Sequence, residues 1–171
     1  MGPALDLPTL ERLTELAVDL HNEALDCAKA GAYRAGCVTI GSALEAALLV
    51  TTVVFEDEIK ARGLWPKGKP LDWGLRELIP VATQARWFPE RFPGTEAKFV
   101  ELAKAELGDA LRWVKWLRNL VHPGAYVREM PPSLHFGETV FQNAFEVLDG
   151  AFTVTAVLLD RAAPGGIDPG S

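Results

Sequence analysis

Several kinds of chemistry are missing from this chain before any helix is considered. Among its 171 residues are only two cysteines, Cys27 and Cys37, and no CxxC or cysteine–histidine spacing accompanies them. A zinc site is therefore not expected; buried, reduced thiols are, and they fit a cytoplasmic protein. The three histidines are scattered, so an HExxH metal helix is absent. There is no Walker loop and no glycine-rich dinucleotide turn. Gly41-Ser42-Ala43 lacks the second glycine of a nucleophile elbow and falls inside a helical pattern. Glu56-Asp57-Glu58 has no further carboxylate or histidine at ligand spacing and reads as a solvated acidic face. No metal and no cofactor are expected.

Positive charge is also in short supply. The net charge of −6 and pI of about 5.1 argue against broad coating of nucleic acid, while leaving room for a small basic site. The segment Met1–Asp6 lacks the basic and apolar regions of a secretory signal, and Asp6 stands where myristoylation wants Ser or Thr. No internal repeat, heptad array or strand alternation is present.

What the chain does have is apolar helical patterning. It is 49% hydrophobic with five tryptophans, a globular composition sufficient for one domain with a sizeable core. Leu10, Leu13, Leu16, Ala17, Leu20 and Ala24 recur at helical steps, predicting a first helix from a Thr9 cap to about Ala30. His21 in this helix reads as a surface or hydrogen-bonded histidine. A second helix is predicted from about Ala32 to Arg62. Its stretch from Cys37 to Phe55 is long and apolar, with Glu45 its only charge. A carboxylate at the centre of a membrane span costs about 3 kcal/mol, so the stretch reads as the buried central helix of a bundle and no membrane association is expected. Glu45 there needs a partner, either an ion pair or a capping contact, and Arg118 is a candidate. Gly36 and Gly41 in the same helix point to close packing.

After a Gly/Pro/Lys loop from Gly63 to Pro70, Asp72 is the expected cap of a short third helix containing Pro80. Trp87-Phe88 reads as loop aromatics covering the core. A fourth helix is predicted from Thr95 to about His122, where Pro123-Gly124 stops it. Trp113, Trp116, Leu117, Leu120 and Val121 make its core face, and Lys115, Arg118 and His122 share the opposite one. Leu111 interrupts that second face, as though the face meets protein, such as another subunit. A Pro-rich connection, Ala125 to Gly137, leads to a fifth helix from Glu138 to about Ala162. The expectation is a single all-α bundle of about five helices over residues 1–163, with a flexible tail from 164 to 171.

The stretch with chemical content is Leu117-Arg118-Asn119-Leu120-Val121-His122-Pro123-Gly124. At about 100° per residue, Arg118 and His122 lie within about 40° of each other if the helix runs through both. A histidine can take and return a proton near neutrality, and arginine offers a rigid fork of donors for a phosphate. Asn119 adds an amide that can hold either. Together they can support metal-independent RNA cleavage: His122 activates the 2′-hydroxyl, Arg118 stabilises the phosphate, and a 2′,3′-cyclic phosphate is left. The alternative from the same residues is structural: His122 as a C-terminal helix residue and Arg118 paired with Glu45.

This Arg-Asn-x-x-His-Pro-Gly segment closing a late helix resembles the signature of HEPN-type domains. So does the order of elements: an early helix carrying Ser42-Ala43-Leu44-Glu45-Ala46-Ala47-Leu48-Leu49, then Leu75-Arg76-Glu77-Leu78-Ile79 after a loop, then the Arg-Asn helix. The resemblance, over about residues 10 to 160, implies a helical bundle that forms a homodimer. It also implies a metal-independent endoribonuclease of toxin–antitoxin or phage-defence type, whose composite site forms where two protomers meet. Arg118, Asn119 and His122 would be catalytic, Glu45 would brace the arginine, and Arg112, Lys115 and Arg128 would bind RNA. Partners implied are RNA, a second copy and an antitoxin or other protein. Catalytic members usually place four to six residues between the Arg and the His, which puts the histidine on or past the helix end. Here there are three. Relatives with degenerate motifs serve as non-catalytic modules for dimerisation or partner binding, and the Arg/Asn/His/Glu set would then be a structural polar network.

Overall fold

The computed structural model describes residues 4–88, 107–131 and 135–162. Among them are seven α-helices and no strand, an all-α bundle: α1 (Leu7–Lys29), α2 (Tyr33–Val54), α3 (Glu56–Ala61), α4 (Leu75–Gln84), α5 (Leu107–Asn119), α6 (Pro123–Glu129) and α7 (Glu138–Ala162). The predicted Thr95 cap, the early positions Phe99, Leu102 and Ala103, and the tail from 164 lie outside the described residues.

α2 is at the centre and packs against α1, α4, α5 and α7. That position explains its composition. A helix with neighbours on every side has no polar face to present to water, and 67% of its most apolar window is buried. Ile40, Leu44 and Leu48 are fully buried there, with Leu78 of α4, Leu117 of α5 and Leu148 of α7 equally enclosed. Each such side chain contributes about 1.5–3 kcal/mol through removal from water. The two early glycines are where neighbours come closest. A Cβ at Gly36 would stand 2.6 Å from the Phe141 ring of α7, and one at Gly41 would stand 2.8 Å from Cβ and Cδ of Arg118.

The helix count exceeds the expected five because two patterns are broken by local chemistry. The long second helix splits at Phe55. Glu56, Asp57 and Glu58 are therefore the first turn of α3, where carboxylates complement the helix dipole. The Pro-rich connection expected from Ala125 to Gly137 is in part a helix, α6, with Pro123 in its first turn, where a missing N–H costs nothing.

Other boundaries differ for similar reasons. Asp6, not Thr9, caps α1: its Oδ1 accepts the Thr9 N–H at 2.9 Å. Asp72 belongs to a 3-10 turn at Pro70–Asp72, and the residue preceding α4 is Gly74. Pro80 is exposed and α4 continues past it to Gln84. Trp87 is buried and Phe88 half-buried, so these aromatics do cover the core. α7 matches the predicted span, Glu138 to Ala162.

Candidate active site at the end of α5

Arg118 occupies the last turn of α5. Leu111 and Val114, which flank its direction on the helix, are fully buried. The face expected to lie opposite the core, and to meet another subunit at Leu111, is therefore largely a packed face within this chain. It turns Arg118 toward α2, where its stem lies on the bare backbone of Gly41.

The guanidinium then meets Glu45, one turn further along α2. Arg118 Nη1 donates to Glu45 Oε2 at 2.6 Å and Nη2 donates to Oε1 at 3.3 Å. This two-pronged, charge-assisted pair fixes the plane of the guanidinium. The side chains are 31% and 24% exposed, so the pair is held at the margin of the core rather than sealed in it. Glu45 Oε2 also accepts the Leu75 N–H at 3.0 Å. Gly74 has no side chain with which to cap α4, and Glu45 supplies the cap from another helix. A Cβ at Gly74 would stand 3.1 Å from the same oxygen. The ion pair and the capping contact foreseen as alternatives for Glu45 are thus both present.

His122 does not continue the helix. The Leu120 N–H is shared between the carbonyls of Trp116 and Leu117, at 3.2 Å each, and the His122 N–H donates to Asn119 O at 3.1 Å. The backbone at His122 is extended, with φ −76° and ψ 122°, and His122 becomes the residue preceding α6. The cause is Pro123, whose ring disfavours helical geometry in the residue before it. The predicted sharing of one helical face by Arg118 and His122 therefore fails: the helix ends at Asn119. His122 is exposed, and its imidazole has no hydrogen-bond partner among the described residues. Asn119 is exposed as the last residue of α5.

Of the basic residues expected around the motif, Arg112 is exposed and Lys115 half-buried on α5. Arg128 is on α6, where its Nη2 lies 3.5 Å from Glu129 Oε1. Sequence reasoning missed Arg34, in the first turn of α2. Its Nη2 donates to the Leu120 carbonyl at 2.7 Å, and its guanidinium carbon lies 4.6 Å from the centre of the Tyr126 ring and 5.5 Å from that of Phe136. One signal could have revealed it. Arg34, Gly41 and Glu45 are spaced by seven and four residues, which places them within about 40° on an otherwise apolar helix.

The remaining candidates have structural explanations. His21 Nε2 lies 2.7 Å from Asp149 Oδ1, and its ring packs on Phe145 and Phe152, joining α1 to α7. Burial pushes the Cys37 thiol up to about 12, which removes it as a nucleophile. Among the described residues no three acidic, histidine or cysteine side chains gather as a metal site.

What the arrangement offers is a braced cation and an exposed histidine four residues apart, separated by a helix end. No protein-family profile, curated protein or solved structure matches the chain.

Proposed function

We propose that this protein is a metal-independent endoribonuclease of the HEPN type, acting in the cytoplasm in a toxin–antitoxin or phage-defence role. The observation that carries this reading is the end of α5. Three intervening residues would hold the histidine on the helix if the helix ran on. Because it stops at Asn119, His122 stands beyond the helix end, exposed, while Arg118 remains on it, braced by Glu45. The resemblance to HEPN-type domains implies the same placement for catalytic members with their longer spacer.

In the reaction, His122 takes the proton of a ribose 2′-hydroxyl. The 2′-oxygen attacks the adjacent phosphorus, and the bond to the 5′-oxygen breaks. That oxygen receives a proton from an imidazolium, leaving a 2′,3′-cyclic phosphate and a 5′-hydroxyl. Glu45 engages one N–H on each terminal nitrogen of Arg118, and the remaining donors of the fork serve the charge that develops on the phosphate. Asn119 offers an amide beside them, and Arg112, Lys115 and Arg128 supply local positive charge for the RNA strand. Val121, Tyr126 and Val127, exposed apolar residues on either side of His122, favour a homodimer in which two such ends meet. An antitoxin would cover the same end.

One observation favours a second reading, a non-catalytic module for dimerisation or partner binding. Both terminal nitrogens of Arg118 already have a partner, and that partner also caps α4. A cleavage assay on mixed RNA in EDTA separates the two. The enzyme cuts without metal and leaves cyclic-phosphate ends, and His122→Ala abolishes cutting while leaving the melting temperature within a few degrees of wild type. Wild-type protein that is folded and dimeric yet does not cut supports the binding module.

A further inference from the structure

The pair that defines the proposed site is divided by a helix end, and a turn of backbone is a poor ruler for catalytic geometry. A placement error of about 1 Å between reacting groups can cost about 100-fold in rate. Something must hold the His122 turn in place, and apart from Leu120 the turn's own side chains do not. Leu120 is buried and anchors one side, but Val121 and His122 are exposed.

We propose that Arg34 is the positioning residue that fixes His122 relative to Arg118, an assignment that rests on the ribonuclease reading for its catalytic consequence. Its guanidinium grips the chain on both sides of His122. It donates to the Leu120 carbonyl, two residues before, and lies against the ring of Tyr126, four residues after. The Tyr126 N–H in turn donates to the His122 carbonyl at 2.9 Å, so the ring that Arg34 holds is tied to the histidine's own backbone. Phe136, near the start of α7, adds a third contact.

The other end of the ruler is on the same helix. Gly41 and Glu45 receive Arg118, and they share with Arg34 one narrow stripe of α2. α2 is a single uninterrupted helix in the centre of the bundle. One rigid element thus sets the position of the arginine through Glu45 and that of the histidine turn through Arg34. A guanidinium suits this role because its fixed fork of donors can hold a carbonyl while its carbon lies over a ring, whereas a lysine brings a flexible point charge.

The test compares wild type, Arg34→Ala and Arg34→Lys, each verified as folded. The imidazole C–H signals of His122 are followed by NMR, and RNA cleavage is measured over a range of substrate concentrations. Arg34→Ala is expected to move or broaden the His122 signals and to lower kcat by about 100-fold with KM little changed. Arg34→Lys keeps the charge and a donor but loses the stacking plane, and should fall between. If Arg34→Ala does not fold, the same two readouts on Arg34→Lys decide. His122 signals at their wild-type positions in the variants would overturn the proposal, as would a raised KM with kcat unchanged, which is the mark of a simple RNA contact. Should wild type not cleave, the ribonuclease reading falls, while the His122 signals still decide whether Arg34 positions the turn.

Discussion

Gly41 and Arg118 are matched in shape, the arginine stem lying where a Cβ at position 41 would be, 2.8 Å from both its Cβ and its Cδ. The crowding at Cβ is the more telling of the two, because that atom moves only with the α5 backbone. The chain uses glycine in a helix interior, at a cost of about 1 kcal/mol relative to alanine, to let α5 approach α2 closely enough for Arg118 to reach Glu45.

Gly41→Ala should therefore destabilise rather than stabilise, by about 1–3 kcal/mol, against the sign that helix propensity gives. It should also be non-additive with Glu45→Gln, since both act on one pair. Urea unfolding of the two single variants and the double variant checks this, and simple additivity would contradict it.

Glu45→Ala leaves both Arg118 and the Leu75 amide without an acceptor. A loss of about 2 kcal/mol is expected, less than for a sealed ion pair because both side chains are partly exposed. Glu45→Gln retains one oxygen and should lose about half as much. Arg118→Met alone should cost less than Glu45→Ala, because Glu45 then keeps the Leu75 N–H as a partner and stays partly exposed to water.

The two thiols should differ sharply in reactivity. Cys37 is fully buried, with its thiol pushed up to about 12, whereas Cys27 is half-buried. Iodoacetamide at about pH 8 should modify at most Cys27 in the native protein and both thiols in denaturant. Mass spectrometry of the alkylated peptides reads this directly.

Two glutamates should give opposite pH signatures. Glu56 is held below the carboxylate value of 4.5, chiefly by Lys60 and then by the Ala4 N–H. Its contribution is full above 4.5 and disappears as pH falls through the lowered value. Glu56→Gln should thus be less stable than wild type at pH 7, with the gap closing in acid. Glu146 is exposed yet raised, chiefly by partial desolvation and then by Asp149, so its charge is a small penalty that grows as pH rises through 4.5 and beyond. Glu146→Gln should be more stable than wild type at pH 7, and that gap should also close in acid. Thermal melts at pH 3.5, 5 and 7 follow both.

Long apolar periodicities were legible in the residues. α7 ran from Glu138 to Ala162 as the spacing implied, and α2 was recognisable as a core helix because a lone Glu45 in so apolar a stretch requires a partner inside the protein. Helix ends were harder. Leu120 and Val121 extend the apolar rhythm of α5, and only the constraint of Pro123 on its predecessor shows that His122 has left the helix. α4 gave a false cap at Asp72 because its true cap is the side chain of Glu45, 30 residues earlier in the chain. The stripe it shares with Gly41 and Glu45 marks Arg34 as notable, but its partner was hidden for a like reason. Its hydrogen-bond acceptor is a backbone carbonyl 86 residues away, and no side-chain pattern encodes a carbonyl.

The oxygen shared by Arg118 and Leu75 has a consequence for observing this molecule at work. Any anion that draws Arg118 toward itself removes a donor from Glu45 Oε2, the oxygen that also accepts a single amide proton at the start of α4. The effect is reciprocal, because whatever loosens that amide also changes the grip on the arginine. Leu75 is itself buried and distant in sequence from the motif. Its N–H is thus a native gauge wired to the site, and the solvent-exchange rate of that one proton would register occupancy without a label, a substrate analogue or a mutation.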